Sequence, residues 1–422
     1  SGRRRMNSFG FNYNKKDILC CDGIPLSKIA TTYQTPVFVY SSLKILNNYH
    51  SLNNALKESR ANIHFALKAN STLGIISLLS KEGSGADIVS GGELKKALSA
   101  NIPPSKIIFS GVGKTDDEIR LAISNKIKQI NVESVPEIER IISISESLRE
   151  KVAVSLRVNP DIIVQTHEKI ATGSSETKFG MPMKQAKSLY KSISKEKSII
   201  PMGLAIHIGS QIFDNSKFKV AYESILELSD ELRSEGFSVP HLDLGGGLGV
   251  NYDNGSIDFQ NFGNTINEVF KGKGYSLSIE PGRSLVANGG ILLTKVIFIK
   301  KTNTKQFVIV DAAMNDFIRP TLYEANHKII EVSKSIAEPE LYDVVGPICE
   351  TGDFFAKNVK LGHLKEKDLI VIDSAGAYGS VMSSSYNSRP PAGEILIYNN
   401  ETFLLREKES IEDQIAREYL PF

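Results

Sequence analysis

Three cysteines in 422 residues cannot build a disulfide framework, and two of them, Cys20 and Cys21, are neighbours poorly placed to bridge each other. No CxxC pair or His/Cys cluster marks a zinc site, so no metal is expected. The reducing cytoplasm is the compartment that fits this cysteine usage. An excess of one charge is missing too. Fifty Lys and Arg against 48 Asp and Glu leave a net charge of +2, which gives nucleic acid or a membrane surface nothing to hold. No run approaches the ~20 apolar residues of a spanning helix. The basic start, residues 1–6, lacks the apolar stretch of a secretion signal. Internal repeats and low-complexity segments are absent. What remains is an ordinary globular composition, 41% apolar and 23% charged. A chain of this length exceeds one ordinary core, so two domains are expected.

From about residue 37 to 290, short β-rich runs alternate with amphipathic helical ones. Strands are predicted near 63–68, 86–89, 107–110, 130–133, 152–158, 204–208, 242–245 and 277–280. Helices are predicted between them, for example over 43–58, 91–100, 116–124 and 217–234. Eight such units over ~250 residues predict a (β/α)8 TIM barrel rather than a doubly wound open sheet. No dinucleotide fingerprint opens the first unit. After about residue 290 the helical rhythm stops and short β runs take over. They predict a C-terminal antiparallel β domain over 291–422, which the N-terminal segment, residues 1–36, would join.

Side chains alternate faces along a strand. In the first predicted strand Ile63, Phe65 and Leu67 oppose His64, Ala66 and Lys68. Val154, Leu156 and Val158 oppose Ser155, Arg157 and Asn159. Leu242 and Leu244 oppose Asp243, and Leu277 and Ile279 oppose Ser278 and Glu280. If surrounding helices take the apolar face, then Lys68, Arg157, His207, Asp243 and Glu280 point together into the barrel mouth, where barrel active sites are built.

Each of these residues has a plain reading beside the chemical one. Lys68 could simply reach solvent with its ammonium, or its amine could be an imine-forming group. Gly245-Gly246-Gly247-Leu248-Gly249 follows the seventh strand. It could be a tight turn or a cradle whose backbone N–H groups approach a phosphate. Glu280-Pro281-Gly282-Arg283 could hold a structural ion pair, or it could set a carboxylate against a protonated pyridine ring. His207 could be a satisfied polar residue or a stacking partner for an aromatic ring, with Ser210 beside it as a phosphate donor. Cys349, next to Glu350 in a turn-rich stretch, could pack or act as a general acid. Arg319 could be solvated, or it could fork onto a substrate carboxylate.

Taken together, these motifs resemble those of the fold-type III pyridoxal-phosphate decarboxylases. The resemblance runs from about residue 35 to 407. It rests on residues 65–70, 85–93, 207–211, 245–249 and 280–283, and in the later domain on 314–320, 346–353 and 376–378. It implies a barrel of the alanine racemase type and pyridoxal 5'-phosphate as cofactor. Lys68 would carry the cofactor as a Schiff base, with His207 stacked on its ring and Glu280 facing the ring nitrogen. Asp87, Ser210, Gly246, Gly247, Gly282, Arg283 and Tyr378 would complete the cofactor site. Arg283, Arg319, Tyr323 and Tyr378 would contact substrate, and Glu350 would bind a remote ammonium. Cys349 would return the proton. The resemblance further implies a homodimer with shared active sites, Cys349 and Glu350 reaching the partner's site. The implied reaction is decarboxylation of meso-2,6-diaminopimelate to L-lysine. The competing expectations are a decarboxylase of ornithine or another basic amino acid, an amino-acid racemase, and a non-catalytic cofactor-binding homologue. A mobile lid is expected over 166–179.

Overall fold

The computed structural model describes residues 9–160 and 177–422; most of the expected lid lies outside them. The chain divides into two compact units. One comprises Tyr49–Gly249 and Ile257–Ser284. The other gathers the N-terminal residues through Asn48, Val250–Ser256 and Leu285–Phe422.

In the first unit, eight strands run parallel: Asn62–Ala66, Gly85–Ile88, Ile107–Phe109, Gln129–Val132, Val152–Asn159, Ile199–Ala205, His241–Asp243 and Ser276–Ile279. Each pairs with the next, and the eighth returns to pair with the first through Ile279 and Ile63. The sheet is therefore a closed barrel with no free edge among these eight. All eight predicted strands are present, displaced by one or two residues except for the sixth, which begins at Ile199 instead of 204.

Local chemistry starts the surrounding helices. Ser90, Thr115 and Ser134 each accept the backbone N–H of a glutamate three residues on, opening Gly91–Ser99, Asp116–Ser124 and Val135–Leu148. Such caps satisfy donors that a helix start leaves orphaned, at about 1 kcal/mol each. The inner face of the barrel is polar, as the alternation predicts. Asn131 on the fourth strand reaches across to Asp243 on the seventh, which only inward-pointing side chains can do. Below them His241 bonds Ser276 and Ser278, and His64 is buried beside Gly85.

The second unit is a mostly antiparallel sheet. Its central order is Phe354–Leu361, Glu340–Val345, Gln306–Val310, Gly290–Lys301, Val37–Ser41, Gly393–Tyr398 and Glu401–Arg406. Two pairings in it are parallel, Gln306–Val310 with Glu340–Val345 and Gly393–Tyr398 with Val37–Ser41. Leu19, Leu26 and Ile29 of the N-terminal segment share an apolar core with Val37, Val39, Ile291, Leu293 and Ile395. The boundary expected at residue 37 lies further along the chain, although none of the eight expected barrel strands includes residues 37–41. Val37–Ser41 is instead an interior strand of this sheet, buried at all five positions. A fully buried strand carries no alternation to say which sheet it belongs to.

Candidate active site

Three strand ends of the barrel unit supply the centre of the site. The first strand stops at Ala66. Leu67 still donates its N–H to Asp87 O, and half-buried Lys68 follows in the turn. Glu280 comes one residue after the eighth strand, and His207 two residues after the sixth. Lys68, Asp87, Asn131, Arg157, His207 and Glu280 line one cavity of about 410 Å³ at this end of the barrel. The sequence reading grouped five inward residues, and four of them, Lys68, Arg157, His207 and Glu280, border this space. The fifth, Asp243, lies beneath with its carboxylate held by Asn131.

Electrostatics in the cavity are dominated by three buried carboxyl groups. Burial raises the pKa of Glu280 well above the ordinary carboxylate value, and Asp243 and Asp87, both hydrogen-bonded to it, add to the rise. Burial also lifts Asp87, to about 6, with the Lys68 charge opposing the shift. Asp243 is raised by burial while hydrogen bonds from Glu280 and Asn131 and the Gly245 N–H restrain it. His207 moves the other way. Burial, then the charges of Lys68 and Arg157, hold its pKa well below the ordinary imidazole value, so it is neutral at pH 7. A neutral, flat ring and a carboxyl poised to share a proton are what a cationic pyridine ring needs around it.

Two observations test whether pyridoxal phosphate fits. First, Glu280 Oε2 is buried without a hydrogen-bond partner among the described residues, a costly state unless a donor such as a ring N–H faces it. Second, the loops after strands six, seven and eight pack so closely that side chains are excluded. A Cβ on Gly246 would lie 2.4 Å from Glu280 O, and one on Gly247 would lie 2.6 Å from Gly209 O. Gly247 also has φ +104°, a region that favours glycine. The pairing of Ile212 with Leu248 ties the His207–Gln211 loop to the glycine loop. Neither the Gly246 nor the Gly247 N–H donates to an acceptor among the described residues. Amides so placed in a glycine loop can approach an anion closely, and the residues fit the cofactor. Half-buried Ser210 adjoins it, and Gly282 packs against Ala66 and Ala69. Arg283 opens the short helix Arg283–Val286.

The other expected residues belong to the β unit. Arg319 and Tyr323 bound the helix Arg319–Tyr323, the guanidinium carbon 5.6 Å from the Tyr323 ring. Thr321 donates to Gly352 O, fastening this helix to the loop of Cys349 and Glu350. In that loop Asp353 accepts the N–H groups of Met314 and Ile348, Cys349 N–H bonds Asn387, and Glu350 accepts from Tyr386. Cys349 itself is exposed. Tyr378 sits in a left-handed turn at φ 53°. A larger cavity in this unit, about 680 Å³ and lined by Lys44 and Asp373, holds none of the expected site residues.

Sequence reasoning missed several partners. Glu133 pairs with Arg157 at 2.8 Å, and Tyr252 and His327 pack on Arg319. None carries a motif of its own, and their distance along the chain hides them. Among the described residues no His/Cys/Asp/Glu group could hold a metal ion, and no helix is long and apolar enough to cross a membrane.

The pyridoxal-binding domain of the pyridoxal-dependent decarboxylases matches residues 43–287. A diaminopimelate decarboxylase of Zymomonas mobilis is 46% identical over 410 residues, 96% of this chain and 97% of that protein. A solved diaminopimelate decarboxylase from Helicobacter pylori, complexed with L-lysine, is 39% identical with a TM-score of 0.89, covering 93% of this chain and 99% of that one. Another from M. jannaschii, in co-complex with L-lysine, is 35% identical with a TM-score of 0.93 and covers 98% of both chains.

Proposed function

The chain belongs to the diaminopimelate decarboxylases, a family of pyridoxal-phosphate-dependent decarboxylases, and from that premise we propose that it converts meso-2,6-diaminopimelate to L-lysine and carbon dioxide. The observation that carries the chemistry is one cavity lined by both Lys68 and Glu280, with an oxygen of Glu280 left unpaired.

When bound, pyridoxal phosphate supplies the electron sink for the pair left behind as the bond to carbon dioxide breaks. The residues of the chain do the rest. Lys68 Nζ would hold the cofactor through its amine. Glu280 Oε2 keeps a proton at the ring nitrogen, inside a carboxyl cluster whose own proton affinity is high. Neutral His207 offers a flat face without adding charge. Ser210, the Gly246 and Gly247 amides, Gly282 and Tyr378 serve the phosphate end. Arg283, Arg319 and Tyr323 grip the carboxylate that is retained, Glu350 binds the retained ammonium, and Cys349 Sγ–H delivers a proton to the carbon that lost carbon dioxide. We further propose that the enzyme acts in the cytoplasm as a homodimer, Cys349 and Glu350 serving the partner's site.

An arginine at 319 disfavours substrates whose far end is an ammonium alone, which argues against ornithine. The experiment is carbon dioxide release from diaminopimelate, ornithine and lysine, with the cofactor's visible absorption recorded. Lys68→Ala should lose the protein-bound band and the activity. Turnover at the wild-type rate in Lys68→Ala would sink the proposal, and release from ornithine but not diaminopimelate would replace the substrate.

A further inference from the structure

In the β unit, Arg319 is held by a residue that has no place in the chemistry described so far. Its Nε–H donates to His327 Nε2 at 3.2 Å, and His327 Nδ1 lies 2.9 Å from the carbonyl oxygen of Asp373. A carbonyl can only accept, so Nδ1 carries the hydrogen. Arg319 Nε can only donate, so Nε2 must present a lone pair. The two bonds together specify one neutral tautomer. The ring itself is clamped by Tyr252 at 4.8 Å and Phe317 at 4.7 Å between centroids. Both His327 and Arg319 are buried, at 4% and 6% exposure, so the bond is sheltered from competing water. The guanidinium also lies 5.0 Å from the Tyr252 ring.

We propose that His327 is the positioning residue of Arg319: it anchors Nε so that the end-on pair of guanidinium nitrogens faces a substrate carboxylate, and so sets the preference for a substrate with a remote carboxylate. The inference rests on the function proposed above. A guanidinium can rotate about its own stem, and a bidentate grip needs its plane fixed. His327 fixes it from the side, leaving the fork edge as the recognition edge. Protonating His327 would set N–H against N–H and add a positive charge beside the guanidinium, so the anchor exists only while the imidazole is neutral. The charged residues bonded to the ring include Arg319 and Asp373, the latter through its carbonyl, and Lys328 is next in the chain. Arg319 and Lys328 both resist a further positive charge.

Two holoenzyme variants test this. His327→Phe keeps an aromatic ring against Tyr252 and Phe317 but cannot accept the bond. His327→Gln keeps an acceptor oxygen near the Nε2 position and cannot become charged at accessible pH. Loss of one hydrogen bond to a charged group should raise KM for diaminopimelate about tenfold or more in His327→Phe, with kcat nearly unchanged, and His327→Gln should recover most of the loss. L-lysine keeps the remote carboxylate and cadaverine lacks it. Inhibition by L-lysine should weaken in step with KM, while inhibition by cadaverine stays as in wild type. Parallel weakening of both inhibitors or an unchanged KM in His327→Phe would overturn the proposal. If wild type releases no carbon dioxide from diaminopimelate, the functional reading fails instead. The anchor is then judged by the nitrogen-15 resonance of the Arg319 Nε–H, slowly exchanging in wild type and His327→Gln and fast in His327→Phe; equal exchange in all three rejects it.

Discussion

Asn131 Nδ2 donates to Asp243 Oδ2 at 2.9 Å, joining the fourth barrel strand to the seventh across the interior. Gln129 Nε2 donates in turn to Asn131 Oδ1, so the amide is fixed from both sides. This bond props up the floor of the candidate active site. Asp243 touches Glu280, and Glu280 touches Asp87, so the orientation of one amide propagates through three carboxyl groups. A barrel interior filled by branched apolar residues would be more stable. Here polar groups occupy it, and Asn131, Gln129, Asp243 and His241 find partners across or along the barrel.

The acid cluster makes the cofactor-free protein sensitive to pH in a defined direction. Asp87 binds its proton more tightly when folded, with a pKa of about 6 against 3.8 ordinarily, chiefly through burial. Its favourable contribution is therefore complete below the unfolded value and is lost as pH rises through the folded one. Asp87→Asn cannot ionise and keeps an oxygen for the Ser110 hydroxyl, which bonds Asp87 Oδ1 at 2.7 Å. Relative to wild type, the urea midpoint of the cofactor-free variant should climb between about pH 4 and 6 and level off above. A constant difference across that window would contradict the assignment, and holoenzyme activity should fall in the variant.

Arg157 and Glu133 form a buried pair at 2.8 Å, with side chains 10% and 2% exposed. Glu133 Oε2 also accepts the Gly180 N–H, so its removal strands two donors. Glu133→Ala should cost about 3–5 kcal/mol, because the partner charge is left buried and uncompensated. Chemical denaturation gives the number directly. Glu133→Gln, which keeps acceptor capacity, should lose less.

The glycine cradle is open to a paired comparison. Gly246→Ala would force a Cβ to within 2.4 Å of Glu280 O, whereas a Cβ at Gly92, in the first turn of the helix Gly91–Ser99, meets only Ser90 Oγ at 3.7 Å. Gly246→Ala should weaken pyridoxal phosphate binding at least about tenfold, because backbone must move to admit the methyl. Gly92→Ala, outside the cavity lining, should bind it as wild type does. Cofactor titration followed by absorbance separates the two, and equal affinities would remove the cradle from the cofactor site.

If Cys349 serves the partner's site, two inactive variants should rescue each other. In a mixed dimer of Lys68→Ala and Cys349→Ala, one site has lost both groups and the other keeps both. Random mixing in equal amounts should restore about a quarter of wild-type activity, since half the dimers are mixed and each has one intact site. No recovery after subunit exchange would place Cys349 in its own chain's site or outside catalysis.

Much of this protein is settled by the order of its residues. Alternation of apolar and polar groups in 63–68, 152–158 and 277–280, with amphipathic runs between, dictates the strands and the helices between them. Periodicity is a local property, and strand and helix are local answers. The same alternation turns Glu280 and Asp243 inward, and the glycine run at 245–249 announces a close backbone approach. Other matters are decided only when distant segments meet. Val37–Ser41 is apolar on both faces, and only its neighbours Gly290–Lys301 and Gly393–Tyr398 assign it to the β sheet. Glu133 finds Arg157, and His327 finds both Arg319 and the Asp373 carbonyl, through folding alone. A histidine in a sequence can be donor, acceptor or cation. Which of these it is depends on the atoms placed against its two nitrogens, and those atoms are brought there by tertiary contacts that no spacing along the chain encodes.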